Sequence, residues 1–372
     1  MTVFIFILIL SFLVVIHELG HFLLARKHQV KVHEFGFGYP PKVIKLFSWQ
    51  GTDFTLNWIP FGGFVHLEGE TVDSEEVEDK KNKAAFYNKS IKARFAVIFA
   101  GPLFNIIYAL LIFSVVFSVM GIPQELGGRA RIAEVVADSP AATAGIEPNY
   151  EIIGFKLFQD QISTPKVEDV INFTQMNKGQ TVTVQLQGPC SQGICPENLL
   201  EKEVYIRTDA EIPAGEGAMG VAFADFYLMK KPWYIQPFIG IWYGLKEAIG
   251  VAILIVLALV NLFKEILTGS GVPEGLAGPV GIVHQASSNG LLDQGWLSVL
   301  GFSGMLSLNL GIMNILPIPA LDGGRMFFLL LEKFIGRAKV KKFEGSANLT
   351  GFIILLSLII MISIRDVWRI FQ

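Results

Sequence analysis

Charged residues are absent from three long stretches of the chain, 95–120, 296–314 and 349–364, and residues 3–25 are apolar around a short polar cluster. A hydrocarbon core about 30 Å thick takes about 20 helical residues to cross, so these four runs read as spanning helices. Residues 3–25 have neither a basic leading region nor a small-residue cleavage site, which predicts a retained helix rather than a removable signal. Residues 248–263 form a weaker run, expected to lie on or partly within the outer leaflet as an interfacial helix.

Between the second and third runs the pattern changes. Residues 121–227 mix polar and apolar positions and read as a water-soluble α+β module, with strands at 131–136, 150–155, 181–187 and 203–207 and a helix at 167–176. Residues 53–68 are β-prone around Pro60 and Gly62-Gly63 and predict a hairpin loop dipping toward the membrane from the cytoplasmic side. An edge strand there could receive an extended peptide by β-augmentation. The expected organisation is a membrane core at 1–120, the soluble module at 121–227, an interfacial linker region at 228–295 and a second membrane core at 296–372.

Composition agrees with a membrane protein, since 52% of the 372 residues are hydrophobic. A formal net charge of −3, with no basic and aromatic track, excludes a nucleic-acid partner and leaves membrane lipid as the surrounding medium. Local charge orients the spans. Lys333, Arg337, Lys339, Lys341 and Lys342 fill one loop and Arg26, Lys27 and Lys31 follow the first run, so both places are expected to be cytoplasmic. The first span then runs from outside to inside, the second returns, and the soluble module sits outside. Cys190 and Cys195 lie in that module, where an oxidising compartment favours a disulfide between them.

The candidate chemistry lies in the first run. His17, Glu18 and His21 spell HELGH, an HExxH pattern in which helical spacing puts both imidazoles on one face, able to share a zinc ion, with Glu18 as a carboxylate base. Ionisable groups within a span are costly and mark function. A third ligand at membrane depth is needed, and Asp322 is the best candidate. It ends the stretch Asn314-Ile315-Leu316-Pro317-Ile318-Pro319-Ala320-Leu321-Asp322-Gly323-Gly324, whose prolines and glycines make poor helix beside a protein-lined cavity.

HELGH together with this second stretch resembles the site-2 protease family, in particular its bacterial regulator of sigma-E protease (RseP) branch. The resemblance covers essentially the whole chain. Residues 61–65, 101–105 and 278–282 match further family segments. The resemblance implies zinc held by His17, His21 and Asp322, Glu18 as catalytic base, and Asn314 holding substrate. It also implies that 53–68 is a membrane-associated β-hairpin loop, so Phe61, Gly62, Gly63 and Phe64 become candidate substrate-binding residues, with Asn105 placed among them. The soluble module resembles one PDZ domain. Arg325 and His66 depart from the residues common in relatives at positions that are not ligands. The expected fold is therefore a polytopic α-helical membrane protein of about four transmembrane helices, with one inserted PDZ-like α+β domain and the hairpin loop. The implied activity is intramembrane zinc metalloendopeptidase action on single-span membrane proteins, such as anti-sigma factors or signal-peptide remnants. It belongs in a bacterial-type cytoplasmic membrane, after an upstream site-1-type protease. The alternatives are a non-proteolytic scaffold with structural zinc, and a metal transporter, which would need polar ligands through several spans.

Overall fold

The structure is a computed structural model that describes residues 2–70, 82–157, 160–163, 166–213, 215–268, 277–288, 290–291 and 294–370. Two compact units divide the chain, one from Met1–Val116 with Ile241–Gln372 and the other Phe117–Gly240.

In the first unit, α1 (Thr2–Lys27) leads into β1 (Val32–Trp49) and β2 (Thr52–Leu67), followed by α2 (Ile91–Met120). The β region is larger than residues 53–68 alone. Phe35 pairs with both Val65 and Phe54, so residues 34–37 of β1 lie between two arms of β2, while 42–49 pair with 52–57 at the far side. Gly36, Gly38, Pro40 and Pro41 interrupt the alternation that would have signalled β1, and its pairing supplies what its own pattern lacks. Phe22, Phe35, Val97, Ile98 and Leu67 pack the base of this sheet against α1 and α2. At its exit a hydrogen bond from His33 holds the Glu68 carboxyl below the usual carboxylate range, against the opposing cost of burial.

The second unit holds β3 (Ile122–Glu125), β4 (Ile132–Val135), α3 (Pro140–Thr143), β5 (Glu151–Leu157), β6 (Asp160–Ser163), α4 (Val167–Met176), β7 (Thr181–Gln187), β8 (Leu199–Tyr205), β9 (Val221–Phe223) and β10 (Phe226–Met229). Strands β6-β5-β7-β8 form one sheet, and β4 pairs with β9 and β3 with β10. Ile132, Ile152, Phe155, Val170, Phe173, Val184 and Ile206 make its core, with the Phe155 and Phe173 rings stacked at 4.1 Å. Cys190 and Cys195 are joined in a disulfide beside the buried Arg131–Glu151 pair.

The chain returns through α5 (Gln236–Thr268), α6 (Pro279–Ser288), α7 (Trp296–Ile315), α8 (Asp322–Ile335) and α9 (Arg337–Ile370). Five helices among the described residues, α1, α2, α5, α7 and α9, are long and apolar enough to cross a membrane, one more than the four expected. The extra one is α5, which extends residues 248–263 into 33 helical residues. The basic segment expected as a loop is mostly helix, broken at Gly336, whose φ of +84° suits glycine. Asp366 of α9 explains the glycines of 278–282: its Oδ2 accepts the Gly278 and Gly281 N–H groups at 2.8 and 2.9 Å, where a Cβ on either glycine would collide with it.

Candidate metal centre

Glycines let the helices that carry the site approach backbone to backbone. A Cβ on Gly20 of α1 would lie 2.3 Å from the Ala100 carbonyl oxygen of α2, and one on Gly101 would lie 2.4 Å from His21 Nε2 and 2.7 Å from His17 Nε2. Both imidazoles therefore rest directly against α2. One helical turn separates His17 from His21, and their Nε2 atoms are 3.1 Å apart. His21 Nδ1 donates to the Val97 carbonyl at 2.8 Å. A carbonyl only accepts, so in the neutral ring Nε2 keeps the lone pair.

Asp322 reaches the same point from the other end of the chain. Its Oδ2 is 2.8 Å from His17 Nε2 and 3.4 Å from His21 Nε2. The segment 316–321 that delivers it is not helical, and the Gly323-Gly324 pair lets α8 begin tightly beneath it. A Cβ on Gly323 would sit 2.0 Å from the Leu316 oxygen, and one on Gly324 would sit 2.4 Å from the Ile318 oxygen. Helix α9 braces this loop, since Asn348 Oδ1 accepts the Ala320 N–H at 3.1 Å and Gly351 lies against Pro319.

One donor atom each from His17, His21 and Asp322 lies within 4.8 Å of the others. Two imidazole nitrogens and a carboxylate oxygen facing one point are the donor set of a catalytic zinc site, with a fourth position left over, so these residues fit that metal. Glu151, Cys190 and Cys195 also converge within 4.8 Å, but that group carries no such reading. Its thiols are spent in the disulfide, and Arg131 already donates to Glu151.

Glu18 follows His17 on α1. A Cβ on Gly63 would lie 3.7 Å from Glu18 Cγ, so β2 runs beside it. Residues 63–67 pair with β1 on one side and have no strand on the other among the described residues. Phe64 lies on this stretch, where its ring covers Gly36, and Gly62 immediately precedes the stretch against the Tyr39 ring, whereas the Phe61 side chain lies outside the described residues. Asn314 is half-buried in the last turn of α7.

Asn105 is placed differently from the expectation that it contacts substrate. It is 0% exposed, with Nδ2 3.2 Å from His17 Nδ1, because the close approach at Gly101 seals it between helices. Its relation to His17 is not visible in the sequence, although 97, 101 and 105 follow the helical spacing of four. Arg325 also has a role: it donates to Glu70 Oε1 at 2.6 Å and ties α8 to the exit of the β sheet. Arg94 and Glu332 make a second largely buried ion pair, at 2.6 Å, between α2 and α8.

A donor set that fits zinc, placed among helices apolar enough to cross a membrane, is what a membrane-embedded metallohydrolase requires. The sequence profile of peptidase family M50 matches residues 5–358, and the chain belongs to that family, the site-2 protease family. It is 30% identical over 366 residues to a Clostridium acetobutylicum protein, covering 97% of this chain and 96% of that one. It is also 30% identical over 371 residues to a Rickettsia conorii protein, with 99% and 98% covered. Both carry the name putative zinc metalloprotease. Zinc metalloprotease RasP of Oceanobacillus iheyensis is 27% identical over 446 residues, with 100% of this chain and 99% of that one covered. The chain is thus a multi-pass membrane metalloprotease that uses zinc.

Proposed function

We propose that this chain is an intramembrane endopeptidase in which His17, His21 and Asp322 hold the zinc and Glu18 is the catalytic base. The observation that carries this reading is the meeting of those three donors at one point between apolar helices, with Glu18 on the same helix as the two histidines. Zinc held there supplies a Lewis acid that polarises a peptide carbonyl and makes water nucleophilic near neutral pH. Glu18 takes the proton of the attacking water on a carboxylate oxygen and returns it to the leaving amide nitrogen.

A substrate helix hides its peptide bonds in its own hydrogen bonds and has to be drawn into extended form. The open edge of β2 beside Glu18 supports β-augmentation as the means, with Phe61, Gly62, Gly63 and Phe64 shaping the edge and Asn314 holding the main chain. The substrates are single-span membrane proteins, such as anti-sigma factors or signal-peptide remnants, shortened beforehand by a site-1-type protease. The unit at Phe117–Gly240 acts as a single PDZ-like filter against bulky ectodomains, outside a bacterial cytoplasmic membrane. The order of its strands and its helix α4 supports that likeness.

The test uses purified chain and a single-span substrate in liposomes. Glu18→Gln should keep its zinc and cut about 10²–10⁴-fold more slowly than the unaltered chain. Cleavage at an undiminished rate by that variant would sink the reading.

A further inference from the structure

A zinc ion on His17 requires the Nε2 lone pair, so the ring proton must sit on Nδ1. The group facing Nδ1 then has to be an acceptor. For His21 that condition is met by the Val97 carbonyl. For His17 the facing group is the Asn105 carboxamide, whose Nδ2 lies 3.2 Å from Nδ1, while its buried Oδ1 has no hydrogen-bond partner. An amide donor opposite Nδ1 stabilises the tautomer that cannot bind metal at Nε2, and a buried orphan oxygen is itself unfavourable. A half-turn of the carboxamide exchanges its two ends, which are nearly identical in shape. The turn removes the conflict at His17 by setting Oδ1 against Nδ1–H, and it moves the amide NH2 to the place the oxygen held.

We infer that Asn105 is the positioning residue of the zinc site, its Oδ1 accepting from His17 Nδ1–H and thereby fixing the tautomer and ring orientation that leave Nε2 free for the metal. The inference rests on zinc being held by His17, His21 and Asp322. Helix α2 then orients both imidazoles, through Val97 and Asn105, from either side of Gly101. Asn105 is suited to the task because it is held from both ends: it has no exposed surface, and Ser307 Oγ of α7 donates to its backbone carbonyl at 2.9 Å. Gly311 keeps that helix close, since a Cβ there would lie 3.4 Å from Asn105 Cβ.

The experiment measures zinc affinity by competition with a graded chelator, on the full chain in detergent, and follows apo-protein unfolding in parallel. Asn105→Leu keeps the size and loses the acceptor; Asn105→Asp keeps an acceptor and loses the amide donor. The expected result is that Asn105→Leu binds zinc about 10–100-fold more weakly with its apo unfolding little changed, while Asn105→Asp binds at least as tightly as asparagine. Unchanged affinity in Asn105→Leu, or an equal loss in both variants, would overturn the inference. If Asn105→Leu does not fold, Asn105→Asp decides alone: undiminished affinity supports the acceptor role, and a loss of about tenfold or more refutes it. His17→Ala is the control on the underlying site. Full zinc retention by that variant would overturn the ligand assignment itself, whereas zinc loss there with normal affinity in Asn105→Leu would overturn the role of Asn105 alone.

Discussion

Gly101 stands where a methyl group has no room. A Cβ at this position would lie 2.4 Å from His21 Nε2 and 2.7 Å from His17 Nε2, inside any van der Waals contact. The rings have little freedom to retreat, because Val97 and Asn105 hold their other nitrogens. Gly101→Ala should therefore cost most of the bound zinc, measured as metal per chain after purification, and peptide cleavage should fall in proportion. Gly250 is the matched control, since nothing lies within 4 Å of a Cβ there. Gly250→Ala should leave zinc content unchanged. A Gly101→Ala protein with full zinc would show that the helices can separate at this point, against the close packing that small residues provide within membranes.

Among the elements, helix direction limits what α5 can do. The Phe6 and Phe302 rings lie 6.4 Å apart, tilted by 42°, and Leu13 belongs to the same cluster as Leu306, so α1 and α7 run the same way. Phe12 meets Tyr108 while His21 meets Val97, so α2 runs opposite to α1. An even number of crossings must then separate the end of α2 from the start of α7. Helix α6, with 10 residues, is about 15 Å long and too short to supply a crossing. A single full crossing by α5 would reverse α7, despite the length of α5. Cysteines placed singly at Lys246 and Lys264 should thus react with a membrane-impermeant reagent from the same, external side; labelling from opposite sides would refute this path.

At the scale of the whole molecule, the unit Phe117–Gly240 has its own core and its own disulfide. Its two ends meet: Gln236 Nε2 donates to the Phe117 carbonyl at 2.9 Å, and Gly240 lies against Ser118. A segment whose ends touch can be taken out without stretching the rest. Replacing residues 122–230 with a short flexible linker should leave zinc content intact and raise cleavage of single-span substrates that carry folded ectodomains, relative to truncated ones. An unchanged preference between the two substrates would count against the filter. The excised unit should unfold cooperatively by itself in a thermal melt, with both cysteines unreactive to alkylation until a reductant is added.

Local physics makes much of this protein legible in its sequence. Apolar runs mark α1, α2 and α7 because a bilayer admits few alternatives, and HELGH puts two imidazoles on one face because the helical repeat is a property of neighbouring residues. The strand and helix pattern of 131–187 is likewise readable from side-chain alternation. Other features lie beyond that reach. Residues 34–37 of β1 become sheet through partners on both sides, α8 is a helix where the glycines and prolines before it signal a break, and α5 is far longer than its most apolar stretch. Asp322 meets His17 across 305 residues of chain, and Asn105 meets the same ring across 88. Sequence chemistry nominates Asp322 because a carboxylate at membrane depth is conspicuous. Asn105 has no such mark, since a neutral amide in a span has a modest cost and only packing at Gly101 reveals which ring it faces.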